Sequence, residues 1–153
     1  MLQAVILDSH PLSLVCQRRG KPDADACRQR LADWMQAGVR VCVPEVADYE
    51  VRRELIRAGK STAIGRLERF AAIVPGRYLA ITTAAMRLAA ELWARSRQAG
   101  TPTADPHALD GDVILAAQAL TMGLPASDLI VATSNVRHIA RYVPADVWQN
   151  IVP

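Results

Sequence analysis

Aromatic side chains are scarce in this 153-residue chain, which has one Phe, three Trp and three Tyr. Proteins that hold single strands by stacking bases on rings need a platform of such residues, and the sequence gives little sign of one. Cysteine is scarce as well. Cys16, Cys27 and Cys42 are an odd number without CxxC spacing. That fits neither a disulfide framework nor a zinc site, and a reducing cytoplasm is the natural setting. Cys42, inside an apolar run, reads as a small core residue. No segment approaches the ~20 uninterrupted apolar residues of a membrane helix. The start, MLQAVILDSHPL, has no basic residue and an aspartate within its apolar run, so no signal peptide is expected there. GxGxxG and GxxxxGK[ST] are both absent, which removes a nucleotide-binding glycine loop. Repeats, low-complexity tracts and Ser-, Gly- or Pro-rich linkers are missing too.

What is present describes an ordinary globular chain. Hydrophobic residues make up 51% and charged residues 22%. One domain over residues 1–153 is expected, and a domain of this size buries roughly 70% of its unfolded surface without disulfides. The formal charge of +3 leans mildly toward a polyanionic partner.

Residues 3–7, QAVIL, read as a buried strand that ends on Asp8. A short helix follows from Pro11, a residue favoured at a first helical position. Helical spacing of Leu31, Trp34 and Met35 predicts a helix over 23–38, closed by glycine. VRVCV at 39–43 is a second strand, with helices over 45–58 and 61–74. YLAI at 78–81 is a short strand before a long helix from Thr82 to about Gln98. Gly100 to His107 reads as a loop with two prolines, 110–122 as a helix and LIVAT at 129–133 as the last clear strand. WQNIV near the C-terminus is a candidate edge strand. Strands alternating with helices imply a mostly parallel sheet covered on both faces, with ligands beyond the carboxyl ends of the strands.

Three acids stand out by position. Asp8 follows the first strand, Glu50 lies in the helix after the second, and Asp112 falls in the first turn of LDGDVILAAQAL. Carboxylates a few Å apart raise each other's pKa unless a cation neutralises them, and their hard oxygens suit Mg²⁺ or Mn²⁺ rather than zinc. Each acid also has a plainer reading. Asp8 could be a turn or cap residue. Glu50 could pair with Arg53 as Glu54 could with Arg57 on a helix surface, and Asp110 and Asp112 sit where any helix accepts acids.

The set as a whole resembles the PIN-domain family. VILDSHPLSLV looks like its opening strand and first motif, with Asp8 as the first aspartate. VPEVADYEVRREL resembles the second motif, with Glu50 as the acid. DGDVILAAQAL is similar to the third, where Asp112 fits the register better than Asp110. IVATSNVRHI resembles the fourth, with Thr133 and Asn135 at the polar positions. These segments span roughly residues 4 to 140, and the likeness is closest to VapC-type toxins.

The resemblance implies a three-layer α/β/α sandwich and Mg²⁺- or Mn²⁺-dependent cleavage of single-stranded RNA, with a homodimer and an antitoxin as partners. Asp8, Asp112 and Glu50 would hold the metal, and Thr133 and Asn135 would steady the site or contact phosphate. Water would attack phosphorus without a covalent enzyme intermediate. Ser9, His10, Arg18 and Arg137 are candidate RNA contacts, with Arg18 and Arg137 expected near the active edge. His138 reads as structural rather than catalytic. Other basic residues, among them Lys21, Lys60, Arg53 and Arg57, either follow the phosphate backbone or form solvated faces. The helices at 45–74 are a candidate dimer or antitoxin surface.

Two departures from the family pattern matter. His10 is bulkier than the usual small polar residue, and Asn135 stands where many members place a fourth acid. They motivate an alternative, a PIN-like RNA- or protein-binding module that has lost catalysis. A third possibility is a phosphohydrolase acting on a small substrate, against which stands the lack of paired nucleophilic aspartates after the first strand.

Overall fold

The computed structural model describes residues 1–100 and 110–153. The expected Gly100–His107 loop therefore lies almost wholly outside the described residues. Five short strands form one parallel sheet: β1 (Ala4–Leu7), β2 (Arg40–Pro44), β3 (Tyr78–Leu79), β4 (Leu129–Ala132) and β5 (Ala145–Asp146). Their order is β3-β2-β1-β4-β5, so the chain reverses direction across the sheet at β1. The Ile6 position on β1 registers with Cys42 of β2 and Val131 of β4.

Alternation along β1 decides the layers. Val5 and Leu7 enter one core with Leu12 of α1 (Ser9–Val15), Leu31 and Trp34 of α2 (Pro22–Gln36), Val51 of α3 (Glu45–Arg57) and Leu67 of α4 (Ser61–Ala72). Ala4 and Ile6 point the other way. They meet Ala85, Ala89 and Leu92 of α5 (Thr83–Gln98) and the buried run of α6 (Gly111–Leu120). All four residues of β1 are fully buried. A strand covered on both faces has no polar position, which is why AVIL reads as a continuous apolar run. The result is the expected α/β/α sandwich.

Two helix ends follow from glycine. Gly38 (φ +81°) stops α2 and Gly59 (φ +67°) stops α3, in a backbone region that other residues rarely adopt. Helix α6 is apolar on nearly every side because α5, the sheet, α3 and the short α7 (Val136–Ile139) all pack on it. Its one polar buried residue is Gln118. That amide accepts from Val46 N–H (3.1 Å) and donates to the Leu79 carbonyl (2.7 Å), tying α6 to the start of α3 and to β3.

One expectation is corrected. The fifth strand is Ala145–Asp146, whereas WQNIV is not a strand. Trp148 and Ile151 turn into the core instead, and the Trp34 indole N–H donates to the Ile151 carbonyl at 3.1 Å. Apolar content came from core packing, while β5 pairs with β4 at Val131–Ala145 and Ala132–Asp146, flanked by the Val131 N–H to Pro144 and Thr133 N–H to Asp146 bonds. No helix among the described residues is long and apolar enough to cross a membrane.

Candidate active site

The carboxyl ends of β1 and β4 are neighbours, so the residues just beyond them meet. Asp8 continues from β1, bonding its own N–H to Ala132 of β4 (3.0 Å), and then caps α1 by accepting Ser9 N–H at 2.7 Å. Its second carboxylate oxygen accepts from the Thr133 hydroxyl at 2.6 Å. Thr133 is 1% exposed, and its oxygen in turn accepts the Asn135 N–H at 2.9 Å. The threonine therefore fixes the Asp8 rotamer and the turn that carries Asn135.

Asn135 reaches the third motif. Its Nδ2 donates to Asp112 Oδ2 at 3.1 Å. Asp112 stands in the first turn of α6, held there by Asp110, whose Oδ1 accepts the N–H groups of Asp112 (3.0 Å) and Val113 (3.4 Å). Asp110 is thus the helix cap, as its position suggested. Glu50 arrives from α3. Its Oε1 lies over Gly111, so closely that a Cβ built on that glycine would stand 2.8 Å away. The glycine between the two aspartates is the space that admits the glutamate.

The carboxylates feel one another. Burial pushes the Glu50 carboxyl above its ordinary pKa, and the Asp8 charge adds to this, with Asp112 contributing less and Arg53 opposing. Asp112 is raised to about 6, again chiefly by burial and then by Asp8 and Asp110, against a lowering from His138. Burial and mutual repulsion thus outweigh the nearby Arg53 and His138. Among the described residues, no three His, Cys, Asp or Glu side chains stand close enough to hold a metal ion as they are placed. Thr133, Asn135 and backbone N–H groups occupy the carboxylate oxygens instead. The donor set still suits a hard divalent cation: three carboxylates and an amide, without a thiolate.

Of the other expected contacts, Ser9 and exposed His10 adjoin Asp8 on α1, and Arg137 is exposed on α7. Arg18 is placed differently. Helix α1 runs away from the acidic edge, and Arg18 lies past its far end in a separate cleft. His138 stands nearer the chemistry than its structural reading suggested, with Nδ1 3.9 Å from Asp112 Oδ2. Its position, three residues after Asn135 on a helix with an unremarked sequence, gave no signal of this. Arg53 makes no hydrogen bond with Glu50 among the described residues and lies over the Tyr49 ring, 5.3 Å from its centroid. Arg57 does pair with Glu54, at 2.9 Å.

A parallel sheet with three acids and an amide set past its central strands, on four segments in this order, defines a class of α/β fold. The PIN domain family matches residues 5–142, and the chain belongs to it. Solved structures agree on the fold. VapBC2 from Rickettsia felis, bound to a DNA fragment from their promoter, matches with a TM-score of 0.72 at 13% identity, over 95% of this chain and 99% of that one. DNA-bound VapBC from Salmonella typhimurium gives 0.60 at 21%, over 97% and 99%. FitAcB from Neisseria gonorrhoeae gives 0.63 at 16%, over 96% and 99%. No curated protein sequence matches the chain significantly.

Proposed function

We propose that this chain, acting as one domain over residues 1–153, is a divalent-metal-dependent endoribonuclease of single-stranded RNA and the toxin of a toxin–antitoxin pair. The observation that supports it most is the meeting of Asp8, Glu50 and Asp112 at one sheet edge, with Glu50 and Asp112 both raised in pKa. PIN domains are generally nucleases, and the similar structures are VapBC and FitAcB complexes, which supports an antitoxin partner. The charge balance of the protein and its unpaired cysteines fit an RNA-rich cytoplasm.

In this reading Asp8, Asp112 and Glu50 would hold Mg²⁺ or Mn²⁺. Such an ion supplies charge for the phosphate and acidifies water. The protein's own residues do the rest. Thr133 aims Asp8 through its 2.6 Å hydrogen bond. Asn135, with its amide turned over, presents an oxygen in place of the N–H now given to Asp112. Glu50, laid over Gly111, would bind the ion or orient the attacking water. His138, beside Asp112, is placed to donate to the phosphate. Ser9, His10 and Arg137 line the approach. Helix α3 exposes Tyr49 and Ile56, apolar surface suited to a homodimer or an antitoxin.

The test is cleavage of labelled single-stranded RNA with Mn²⁺, Mg²⁺ or EDTA. Cutting with metal and none with EDTA is expected. The second reading, a binding module without catalysis, rests on Asn135, which donates to Asp112 and adds no negative charge. It predicts RNA or protein binding, no cutting with either metal, and recovery of metal-dependent cutting in Asn135→Asp.

A further inference from the structure

A second strongly charged place lies past the C-terminal end of α1. A cleft of about 430 Å³ opens there between α1, the turn that follows it and the start of α4. Arg18, Lys21, Lys60 and Arg66 line it, and no Asp or Glu does. The Arg66 Nε–H donates to the Cys16 carbonyl, and Arg28 donates to that of Gln17. The carbonyls of the C-cap and of the residue after it are thereby already satisfied. The side chains of Arg18, Lys21 and Lys60 are exposed and form no ion pair or hydrogen bond among the described residues.

Asp25, Asp48 and Glu68 on the neighbouring helices are committed elsewhere, whereas Asp23, exposed in the first turn of α2, forms no ion pair among the described residues and does not line the cleft. Asp25 accepts from the Gly20 N–H and from Arg28. Asp48 holds Arg52 with both oxygens, and Glu68 takes the other end of that guanidinium. Four cations around one concavity repel each other, and a local acid would have relieved this at little cost. The arrangement is explained by an anionic ligand of extended charge.

We propose that this cleft binds backbone phosphates of single-stranded RNA, a site separate from the acidic edge; the inference rests on the nuclease reading above. Arg and Lys contacts to phosphate position a strand without reading its bases. The cleft lining contains no aromatic ring, so recognition there is of charge rather than of stacked bases. Helix α1 has 7 residues and so spans about 10 Å, short enough for one strand to engage both ends. Leu55 and Ala63 give the cleft an apolar floor, against which the long basic side chains can lie with their charged heads outward.

The test compares wild type with an Arg18→Gln/Lys60→Gln variant, two exposed positions whose loss leaves the fold intact. An Arg69→Gln/Arg87→Gln variant removes the same formal charge outside the cleft. Binding of a fluorescent single-stranded RNA is followed by anisotropy in EDTA at several salt concentrations, so that cleavage plays no part. The cleft variant should lose affinity on the order of tenfold, with a salt slope shallower by about 1.4, or about 0.7 per cation. The control pair should move both much less. Equal losses in the two variants would mean a diffuse field, and unchanged binding in the cleft variant would mean no site; either overturns the proposal. So would cleft-dependent binding of a polyglutamate peptide with RNA unaffected, which would assign the cleft to an acidic protein partner. Cleft-dependent RNA binding without metal-dependent cutting keeps this site and removes the nuclease reading. Metal-dependent cutting with binding indifferent to the cleft does the reverse.

Discussion

The two ends of α1 are opposites in charge and in how that charge is handled. At the start, Asp8 stands with Glu50 and Asp112, and neutral donors from Ser9, Thr133 and Asn135 hold two of the three acids in place. At the end, Arg18, Lys21, Lys60 and Arg66 surround a cleft with no acid in its lining. Elsewhere the same protein pairs its charges readily, as Arg52 does with Asp48 and Glu68 or Arg57 with Glu54. On the proposed reading, like charge gathered near each end of one short helix is where ligands of opposite sign would belong. On that reading a divalent cation would answer the first and phosphate the second, and an RNA strand with its metal would satisfy both.

The comparison breaks first, and most severely, at the acidic end. Asp8→Asn keeps the shape and the hydrogen bond from Ser9 but removes a charge, and RNA cleavage should fall by more than about 100-fold, beyond the usual cost of losing a supporting residue. Cutting at the wild-type rate by a folded Asp8→Asn protein would remove Asp8 from the site. Thr133→Val tests the support itself. It deletes the 2.6 Å bond to Asp8 and the acceptor for Asn135 N–H. Cleavage should drop about 10- to 100-fold, and thermal unfolding should report a loss of about 1–3 kcal/mol for buried partners left unpaired.

Gly111→Ala sharpens the role of Glu50. A Cβ there would stand 2.8 Å from Oε1, and the flexible glutamate would swing aside. Because alanine suits a helix better than glycine by about 0.5–1 kcal/mol, stability should hold or rise while cleavage falls. A variant that cuts as well as wild type would place Glu50 outside the chemistry.

The smallest expected effect is on stability without metal. Asp112 is raised from 3.8 to about 6 in the folded protein. The fold therefore favours the protonated acid, and that contribution is present below about pH 4 and lost as pH rises to about 6. In EDTA, Asp112→Asn should gain in melting temperature relative to wild type across that window. A constant difference would show that the carboxyl feels no such field.

Much of the site was legible because PIN-like motifs are local. Asp8, Glu50, Asp112, Thr133 and Asn135 each sit at the end of a strand or in an early helical turn, and a parallel sheet brings such ends together. What escaped depended on contacts across the fold. Gln118 bonds both α3 and β3, links that exist only once the helices are packed. The use of Gly111 appears only once α3 lays Glu50 on it. Trp148 and Ile151 carried an apolar pattern that suits a strand or a core equally, and here the core took them. Arg18 was read near the edge because sequence distance from Asp8 is small, but a helix converts ten residues into a separate location. The basic cleft joins residues from 13 to 66, and no single motif contains it.

Whether the acidic edge is a divalent-metal site is decided by calorimetric titration of Mn²⁺ into wild type and Asp112→Asn. Binding by wild type near neutral pH that weakens at least tenfold in the folded variant is the expected result. Equal binding by both proteins, or none by either, would contradict it.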